Sequence, residues 1–340
     1  MLYKRKIPPT FSMVKEGSTT LFIKEGYKET ILRIVSDNER NKSNVASFAQ
    51  NRDSIGVKFG RGSYLSIPVA SNGKERFVIR DYKHGGLLGK LFGGLFLNGN
   101  RPLNEIFINE IAFQRNVPTA EVIAVTKRKL WGLFYKASFI SKEVTDAVDI
   151  IQFFQESSLE FIQKSKRFVI STLVKLIRNM HDAGIYHADL HLKNILLKEN
   201  TKGEFNAYII DLDKSVFLDK LTINQRIKNL LRLDRSVEKL RWFSYKPDTC
   251  QENTGCNKNH PFNITFTDMN NSMRHENAAS IRQKIRAITR TDRVRFFKSY
   301  MLYNNTLDKN WRIYIRRYNS YHFMHKFWWC ISDVFQNKSH

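Results

Sequence analysis

The motif HADLHLKNILL, from His187 to Leu197, constrains the fold more than any other stretch of this sequence. A segment with helical spacing of apolar residues, RFVISTLVKLIRNMHDAG, precedes it and ends at Gly184, a residue type suited to a helix stop. The short apolar runs IYH, NILL and AYIID flank the motif and predict three strands. The polar side chains of the motif are therefore expected in a loop between a long helix and short strands.

The N-terminal part of the sequence has the patterning of strands. Residues 50–82 contain KFGRGSYLSIPV and ERFVIRDY, and EVIAVTKR and WGLFYKASFI follow further along. These runs are rich in aromatic and β-branched residues, which predicts strands. One helix is predicted among them, over NEIFINEIAFQRN at 104–116, with Pro118 just beyond its end.

From about residue 221 onward the sequence is predicted to be helical, apart from a polar stretch at 245–263. Strands first and helices afterwards indicate an α+β fold. We expect two lobes. Residues 1–140 would form a lobe built on an antiparallel sheet, with an N-terminal extension, and residues 141–340 would form a mainly helical lobe that carries the loop motif.

The charge of the chain limits its partners without choosing one. The 340 residues include 56 Lys plus Arg and 32 Asp plus Glu, which gives a formal net charge of +24. Such a charge attracts nucleic acid, anionic membrane surfaces or phosphorylated substrates. The N-terminal MLYKRKIPPTFSM lacks the apolar region of a signal peptide, and no apolar run approaches the roughly 20 residues that cross a bilayer.

Cysteine usage favours a reducing compartment. The three cysteines are Cys250, Cys256 and Cys330, too few for a disulfide scaffold, so the cytoplasm fits best. Cys250, Cys256 and His260 could contribute to a zinc site, but their spacing matches no standard pattern and a fourth ligand is not evident.

Three polar residues of the loop and the following strand fit the needs of phosphoryl transfer. An attacking hydroxyl must be oriented and must lose its proton, and a carboxylate such as Asp189 can accept that proton. A nucleotide brings Mg²⁺, a hard cation that prefers the oxygen ligands offered by Asn194 and Asp211. The order H-x-D-x-x-x-x-N, short strands and I-D favours a catalytic loop over an ordinary connection.

Residues that could hold the nucleotide occur upstream in the expected order. Gly60 and Gly62 of G-R-G-S lie between predicted strands, where backbone N–H groups could approach phosphates, although such a pair alone is more typical of a turn. Arg80 ends FVIR, and its guanidinium can pair with phosphates and with a helix carboxylate. Glu110 is the expected helix partner, with a solvated surface glutamate as the alternative.

Together these motifs resemble the bacterial lipopolysaccharide kinases. The similar stretches are G-R-G-S, V-I-R-D-Y-K-H-G-G, N-E-I-A-F, Y-H-A-D-L-H-x-x-N-I-L-L and I-I-D-L-D-K. Within the family the sequence looks most like the 3-deoxy-D-manno-octulosonic acid (Kdo) kinases, with the heptose kinases of the inner core as close relatives. The resemblance covers residues 55 to 240 approximately, and a later segment at 288–300.

The resemblance implies a protein-kinase-like fold, ATP with Mg²⁺ as phosphoryl donor, and a sugar hydroxyl of lipid A-linked Kdo as acceptor. The N-terminal lobe would bind ATP. Carried over by position, Asp189 is the catalytic base, and Asn194 and Asp211 are the metal ligands. Two departures, Ala188 and His191 in place of the usual Arg and Lys, argue against a regulated protein kinase, as does D-L-D in place of D-F-G.

In the nucleotide-binding part, the resemblance puts Arg80 in the place of the strand lysine of protein kinases. Glu110 is then its partner, and Lys83 is the second candidate for pairing with the phosphates. The basic, glycine-rich segment 83–101 could be a flap over an anionic substrate or simply a solvated loop.

A Kdo kinase would be cytoplasmic and peripheral on the cytoplasmic face of the inner membrane. The part of the chain from 221 has 22 Lys plus Arg and 9 Asp plus Glu, with aromatic residues interleaved. Within it, WRIYIRRYNSYHFMHKFWWC at 311–330 could lie on a membrane surface or form a packed terminal helix.

Other functions stay open at the level of the sequence. A heptose kinase differs only in its acceptor. An aminoglycoside-type phosphotransferase shares H-x-D-x-x-x-x-N but needs an acidic pocket for cationic drugs, which a charge of +24 disfavours. A nucleic-acid-associated atypical kinase is compatible with the charge, yet the sequence has no RNP or KH motif, so nucleic acid is not expected as a partner. The oligomeric state stays undetermined.

Overall fold

The computed structural model describes residues 7–40, 56–59, 63–69, 75–82, 95–97, 101–130, 134–200, 204–245, 283–303, 315–316 and 318–320. They divide into two compact units. The first holds the described residues up to Ala147 together with Tyr208–Val216, and the second holds Val148–Ala207 and the described residues from Phe217 onward.

The first unit is built on an antiparallel sheet. Its strand order is β1-β2-β7-β8-β5-β4-β3, and β6 also pairs with β8. The strands are β1 (Phe11–Glu16), β2 (Thr19–Lys24), β3 (Gly56–Phe59), β4 (Ser63–Pro68), β5 (Arg76–Asp81), β6 (Phe96–Leu97), β7 (Val122–Lys129) and β8 (Phe134–Lys142). The strands predicted in EVIAVTKR and WGLFYKASFI correspond to β7 and β8.

Two helices cover opposite faces of this sheet: α1 (Lys28–Arg40) and α2 (Arg101–Gln114). Successive strand residues point to opposite faces. Accordingly Leu21 and Ile23 pack in one core cluster with Ile31 of α1, whereas Phe22 packs in another with Ile106 of α2. The helix predicted over 104–116 is thus confirmed, and it begins three residues earlier.

The second unit is mainly helical. Its helices are α3 (Ile150–Glu156), α4 (Leu159–Asp182), α5 (Ile223–Tyr245) and α6 (Arg290–Leu302). The short strands of this part of the chain are β9 (Ala147–Asp149), β10 (Ile185–Tyr186), β11 (Ile195–Glu199), β12 (Phe205–Ile209) and β13 (Val216–Phe217). The antiparallel sheet and the helices confirm the α+β class, while the two-lobed arrangement and its boundary at 140 stay predictions.

The long helix α4 follows its sequence pattern. Leu173, Val174, Ile177 and Met180 are buried, as the helical spacing predicts. The helix ends before Gly184, whose φ of +77° lies in the left-handed region that favours glycine. A Cβ at Gly184 would lie 2.0 Å from the carbonyl oxygen of Leu218, so the position excludes a side chain for a second reason.

Several predictions fall outside the described residues. They include most of the segment 83–101, nearly all of the polar stretch 245–263 with its two cysteines and His260, and most of 311–330. Among the helices that are described, none has the length and apolar character that a membrane span requires.

Candidate active site

The loop motif of the second unit exposes the carboxylate of Asp189 and fixes the backbone of the same residue. The Asp189 side chain is 63% exposed, while Asn194 is buried in the 3₁₀ turn Leu192–Asn194. Asn194 Nδ2 donates to the backbone oxygen of Asp189 at 2.9 Å, and the Asp189 N–H donates to His187 Nδ1 at 3.1 Å. The predicted pair therefore lies in one turn, in which these two hydrogen bonds use the Asp189 backbone and His191 Nε2 lies 3.4 Å from the carboxylate oxygen Oδ2 of Asp189.

A buried network of hydrogen-bonded side chains, formed by Tyr300, His181 and Asn229, supports this loop. Asn229 of α5 donates through Nδ2 to the carbonyl of His187 at 2.6 Å, so its Oδ1 is the acceptor that faces His181 Nε2 at 2.9 Å. His181 therefore carries its proton on Nε2 and accepts at Nδ1 from the hydroxyl of Tyr300, 2.6 Å away. This network of side chains connects α6, α4 and α5 to His187, the first residue of the motif.

Burial keeps the imidazole in this chain neutral. The pKa of His181 is lowered to about 3, mainly by burial and also by the nearby charges of Arg226 and Arg178, while the hydrogen bond with Asn229 and the charge of Asp182 act in the opposite direction. A neutral ring can donate on one side and accept on the other, which is what the chain from Tyr300 to Asn229 requires.

In the first unit, Arg80 on β5 contacts two acids. It forms an ion pair with Glu105 of α2, which is fully buried, and its Nη1 lies 3.0 Å from Asp211 Oδ1. The Tyr82 hydroxyl donates to the other oxygen of Glu105, and the Arg80 guanidinium lies 4.9 Å from the centre of the Phe139 ring.

The protonation of this cluster reflects its burial. Burial raises the pKa of Glu105 to about 7, against the positive charge of Arg80. Burial alone would lower the pKa of Arg80, but the charges of Glu105 and Asp211 outweigh it and leave the pKa raised. Arg80 is therefore a fixed cation held between a buried and a half-exposed carboxylate.

A second arginine–aspartate pair lies two residues beyond Asp211. Arg101 Nε lies 2.6 Å and 2.7 Å from the two carboxylate oxygens of Asp213, and Nη2 contacts one of them as well. Asn104 Nδ2 donates to the backbone oxygens of Asp213 and Ser215 at 3.0 and 3.2 Å. No local sequence pattern predicts this pair, because its members are more than a hundred residues apart.

The family model described as the "Lipopolysaccharide kinase (Kdo/WaaP) family" matches residues 72–254, more than half of the chain. The chain belongs to this family. The matched range contains Arg80, Glu105 and Asp211 as well as the whole loop from His187 to Asn194.

Named lipopolysaccharide kinases are similar to this chain over most of their own length. A 3-deoxy-D-manno-octulosonic acid kinase of Vibrio cholerae is 31% identical over 202 residues, which span 58% of this chain and 78% of the relative. One of Haemophilus influenzae is 29% identical over 201 residues, 57% of this chain and 79% of the relative. The solved structure titled "WaaP in complex with acyl carrier protein" is 16% identical with a TM-score of 0.39, covering 64% of this chain and 80% of that one, a likeness too low to support an argument.

The structure corrects one predicted contact in this lipopolysaccharide kinase. Glu105, and not Glu110, lies against Arg80, while Glu110 has its Oε2 3.8 Å from Lys24 Nζ. Five helical residues turn the side-chain direction by about 140°, so the two glutamates cannot face the same strand residue. Both glutamates were visible in the sequence, but helical spacing alone does not say which one faces β5.

The remaining predicted residues of the nucleotide site, Gly60, Gly62 and Lys83, lie outside the described residues. The strands on either side of the two glycines pair antiparallel, with Phe59 opposite Ser63. Within the described part of the chain, no group of three or more His, Cys, Asp or Glu residues is arranged to hold a metal.

Proposed function

We propose that this lipopolysaccharide kinase transfers a phosphoryl group from ATP to a hydroxyl of Kdo in Kdo-lipid A. Membership of the family makes the chain a phosphotransferase that acts on a sugar hydroxyl and implies the use of ATP. The observation that carries the residue assignment is the loop from His187 to Asn194, which exposes the Asp189 carboxylate while both backbone hydrogen bonds hold its position.

In this proposal Asp189 is the catalytic base. An exposed carboxylate can meet the incoming sugar hydroxyl, orient its lone pair and accept its proton as the new P–O bond forms. The hydrogen-bonded side chains of Tyr300, His181 and Asn229 hold the loop in place during this step. Because these three side chains are buried and mutually bonded, they contribute rigidity and do not contact the substrate.

Asn194 and Asp211 have the donor atoms that Mg²⁺ prefers. Asn194 uses its Nδ2 to bond Asp189, so the atom of its amide that can serve a cation is the oxygen. Asp211 offers a carboxylate with a 36% exposed side chain. Bound Mg²⁺ would neutralise charge on the phosphates, and a hard cation of this kind takes oxygen ligands.

Arg80 is proposed to bind the ATP phosphates. A guanidinium has several donors in a fixed plane, so it can keep its bonds to Glu105 and still present N–H groups to an anion. Lys83 stays the second candidate for this role, and Gly60 and Gly62 stay candidates for backbone contacts to the phosphates. We infer that residues 1–140 form the ATP-binding lobe of a kinase and that residues 141–340 form its catalytic lobe.

We also propose that the enzyme works at the cytoplasmic face of the inner membrane as a peripheral protein. The support is electrostatic: the chain carries a net charge of +24, and its proposed glycolipid acceptor carries phosphates. This charge favours an anionic acceptor over a cationic drug.

A direct transfer assay tests the proposal. The full chain is incubated with labelled ATP and Mg²⁺ in parallel with Kdo-lipid A, a heptosylated core oligosaccharide and an aminoglycoside. We expect label in Kdo-lipid A alone. Label in the heptosylated core alone would make the enzyme a heptose kinase, and label in the aminoglycoside would overturn the proposed acceptor class.

A further inference from the structure

The second aspartate of the D-L-D sequence, Asp213, is buried against the first residue of α2. Arg101 contacts both oxygens of its carboxylate with Nε and one of them also with Nη2. The same guanidinium lies 5.2 Å from the centre of the Tyr82 ring and 5.0 Å from that of Phe96. Two-pronged contact and two aromatic rings fix the orientation of Arg101, so Asp213 is held in one place.

The backbone around Asp213 is held by the same helix. Asn104, one turn further along α2, donates to the carbonyls of Asp213 and Ser215. At the other end of this stretch, the Thr119 hydroxyl donates to the carbonyl of Ile209 at 2.8 Å. The segment from Ile209 to Ser215 is therefore anchored on both sides of Asp211.

Asp211 itself needs such anchors. Its φ of +62° lies in the left-handed region, which costs energy for any residue other than glycine and persists where the surroundings impose it. The ion pair with Arg80 engages a carboxylate oxygen of Asp211 and not its backbone. The restraint on the backbone of Asp211 thus comes from its neighbours along the chain.

We propose that Arg101 is a positioning residue that holds Asp213, and through it the left-handed backbone at Asp211, so that the Asp211 carboxylate is presented to the cation bound with ATP. Asn104 assists through the carbonyls of Asp213 and Ser215. Asp213 is then an anchor and not a metal ligand. This inference rests on the metal-binding role proposed above for Asp211.

Calorimetric binding of a non-hydrolysable ATP analogue, with and without Mg²⁺, tests the inference without requiring turnover. The dissociation constant without Mg²⁺, divided by the dissociation constant with Mg²⁺, measures how much the cation strengthens nucleotide binding. We expect Arg101→Met to reduce this ratio by about tenfold, the usual lower range for removing a residue that orients a metal ligand. Arg101→Lys should fall between it and the wild type, because lysine keeps the charge but loses the two-pronged contact.

Matched variants isolate the pair. Asp213→Asn should reduce the ratio as Arg101→Met does, and the double variant Arg101→Met with Asp213→Asn should be no worse than either single variant, because both act through one contact. Arg128→Met, an exposed arginine on β7 of the same unit, should leave the ratio unchanged. Melting temperatures are recorded for every variant, and Arg101→Lys carries the test if Arg101→Met does not fold.

The outcomes separate this inference from the proposed function. A lower melting temperature with an unchanged ratio in Arg101→Met would show a purely structural arginine and overturn the inference. If Asp211→Asn lowers the ratio and neither Arg101 variant does, the inference fails and the metal role of Asp211 stands. If Asp211→Asn leaves the ratio unchanged, the metal role of Asp211 fails and the inference falls with it. The transfer assay on the wild-type chain tests the acceptor independently of all three results.

Discussion

Asp189 makes two hydrogen bonds through its backbone, and its side chain is mostly exposed. Neither the bond from its N–H to His187 nor the bond from Asn194 to its carbonyl involves the carboxylate. A substitution at this position therefore removes the carboxylate while the loop keeps both bonds. This separation of roles makes Asp189 a clean target for a kinetic test.

We expect Asp189→Ala to lower kcat by roughly 10²–10⁴-fold, the usual effect of removing a general base. The affinity for ATP should change little, because the carboxylate is assigned to the acceptor hydroxyl. Steady-state kinetics and calorimetric ATP binding on the same preparation check both parts. Wild-type kcat in this variant would move the base to another residue.

The two glutamates of α2 provide a matched pair of variants. Glu105→Gln removes the charge that Arg80 faces, so we expect the KM for ATP to rise on the order of tenfold, about 1.4 kcal/mol of lost binding. Glu110→Gln, five residues further along the same helix and near Lys24, should leave the KM for ATP unchanged. An equal effect of both substitutions would contradict the assignment of Glu105 as the partner of Arg80.

At the scale of elements, α4 connects fold and site. Its C-terminal end carries His181, which joins Tyr300 and Asn229, and the chain then turns at Gly184 into the strand that leads to the motif. The Leu218 N–H donates to the carbonyl of Gly184 at 2.9 Å, which brings the backbone after β13 against this turn. The turn therefore has no room for a side chain.

We expect Gly184→Ala to lower the free energy of unfolding by about 2 kcal/mol or more, since it combines a left-handed backbone with a clash against a carbonyl oxygen. Gly26→Ala is the control. Its φ of +83° is similar, but no atom lies within 4 Å of the added Cβ. Gly26→Ala should therefore cost only the strain of a left-handed backbone at alanine, about 1 kcal/mol. Urea unfolding followed by circular dichroism compares them, and equal losses would rule out the close approach at Leu218.

The neutral His181 predicts a pH dependence of stability. Its pKa is about 3 in the folded chain and near 6.5 when unfolded. As the pH falls below 6.5 the unfolded chain takes up the proton first, so this stabilisation is complete above pH 6.5 and is lost progressively toward pH 3. Between pH 7 and pH 5 the loss should be roughly 2 kcal/mol.

Urea unfolding of the wild type and of His181→Gln at both pH values measures this contribution. Both proteins contain the same carboxylates, so the difference between their pH-dependent losses of stability reports His181. The variant should lose less stability than the wild type on acidification. An identical loss in the two proteins would mean that His181 is not held neutral.

The elements were predictable where a local repeat specified them. Helix α4 follows from apolar spacing, strands β7 and β8 follow from their aromatic and β-branched residues, and the turn that joins Asp189 to Asn194 follows from the spacing of the motif. An N-terminal extension is predicted where the structure has the hairpin β1–β2 and helix α1, although FSMVKE and TTLFIK flank Gly17, a residue with positive φ. The Arg80–Glu105 and Arg101–Asp213 pairs depend on how α2 is rotated and on contacts distant in sequence, which no local pattern contains.

At the scale of the whole molecule, the positive charge is the least explained property of the sequence. The described residues pair part of it internally: Arg293 with Asp234 and Glu238, and Lys166 with Asp292. Internal pairs add nothing to net charge, so an excess of +24 still acts on the surroundings. Its distribution is uneven, because the part from residue 221 has 22 basic and 9 acidic residues.

If the C-terminal region holds the enzyme on an anionic glycolipid surface, its binding to vesicles must depend on salt. Each Lys or Arg near such a surface contributes on the order of 1 kcal/mol, and the attraction is screened beyond roughly 10 Å at 0.1 M salt. Gln substitution of four residues of the segment 311–330 should weaken binding to vesicles with acidic lipid by a few kcal/mol at most: Arg312, Arg316, Arg317 and Lys326. Of these, only Arg316 lies among the described residues.

A control variant with the same change in net charge shows whether vesicle binding depends on where the basic residues lie or only on how many there are. Gln is placed instead at four exposed basic residues of the first unit's sheet: Lys15, Arg128, Lys129 and Lys136. Co-sedimentation across a salt series should show weakened binding for the C-terminal set and nearly wild-type binding for the sheet set, while transfer to a short soluble Kdo acceptor changes little in either. If 311–330 is a packed helix instead, Trp328→Ala or Trp329→Ala lowers the melting temperature and the four Gln substitutions leave vesicle binding unchanged. Vesicle binding that does not respond to salt would contradict an electrostatic anchor altogether, because screening acts on every exposed charge.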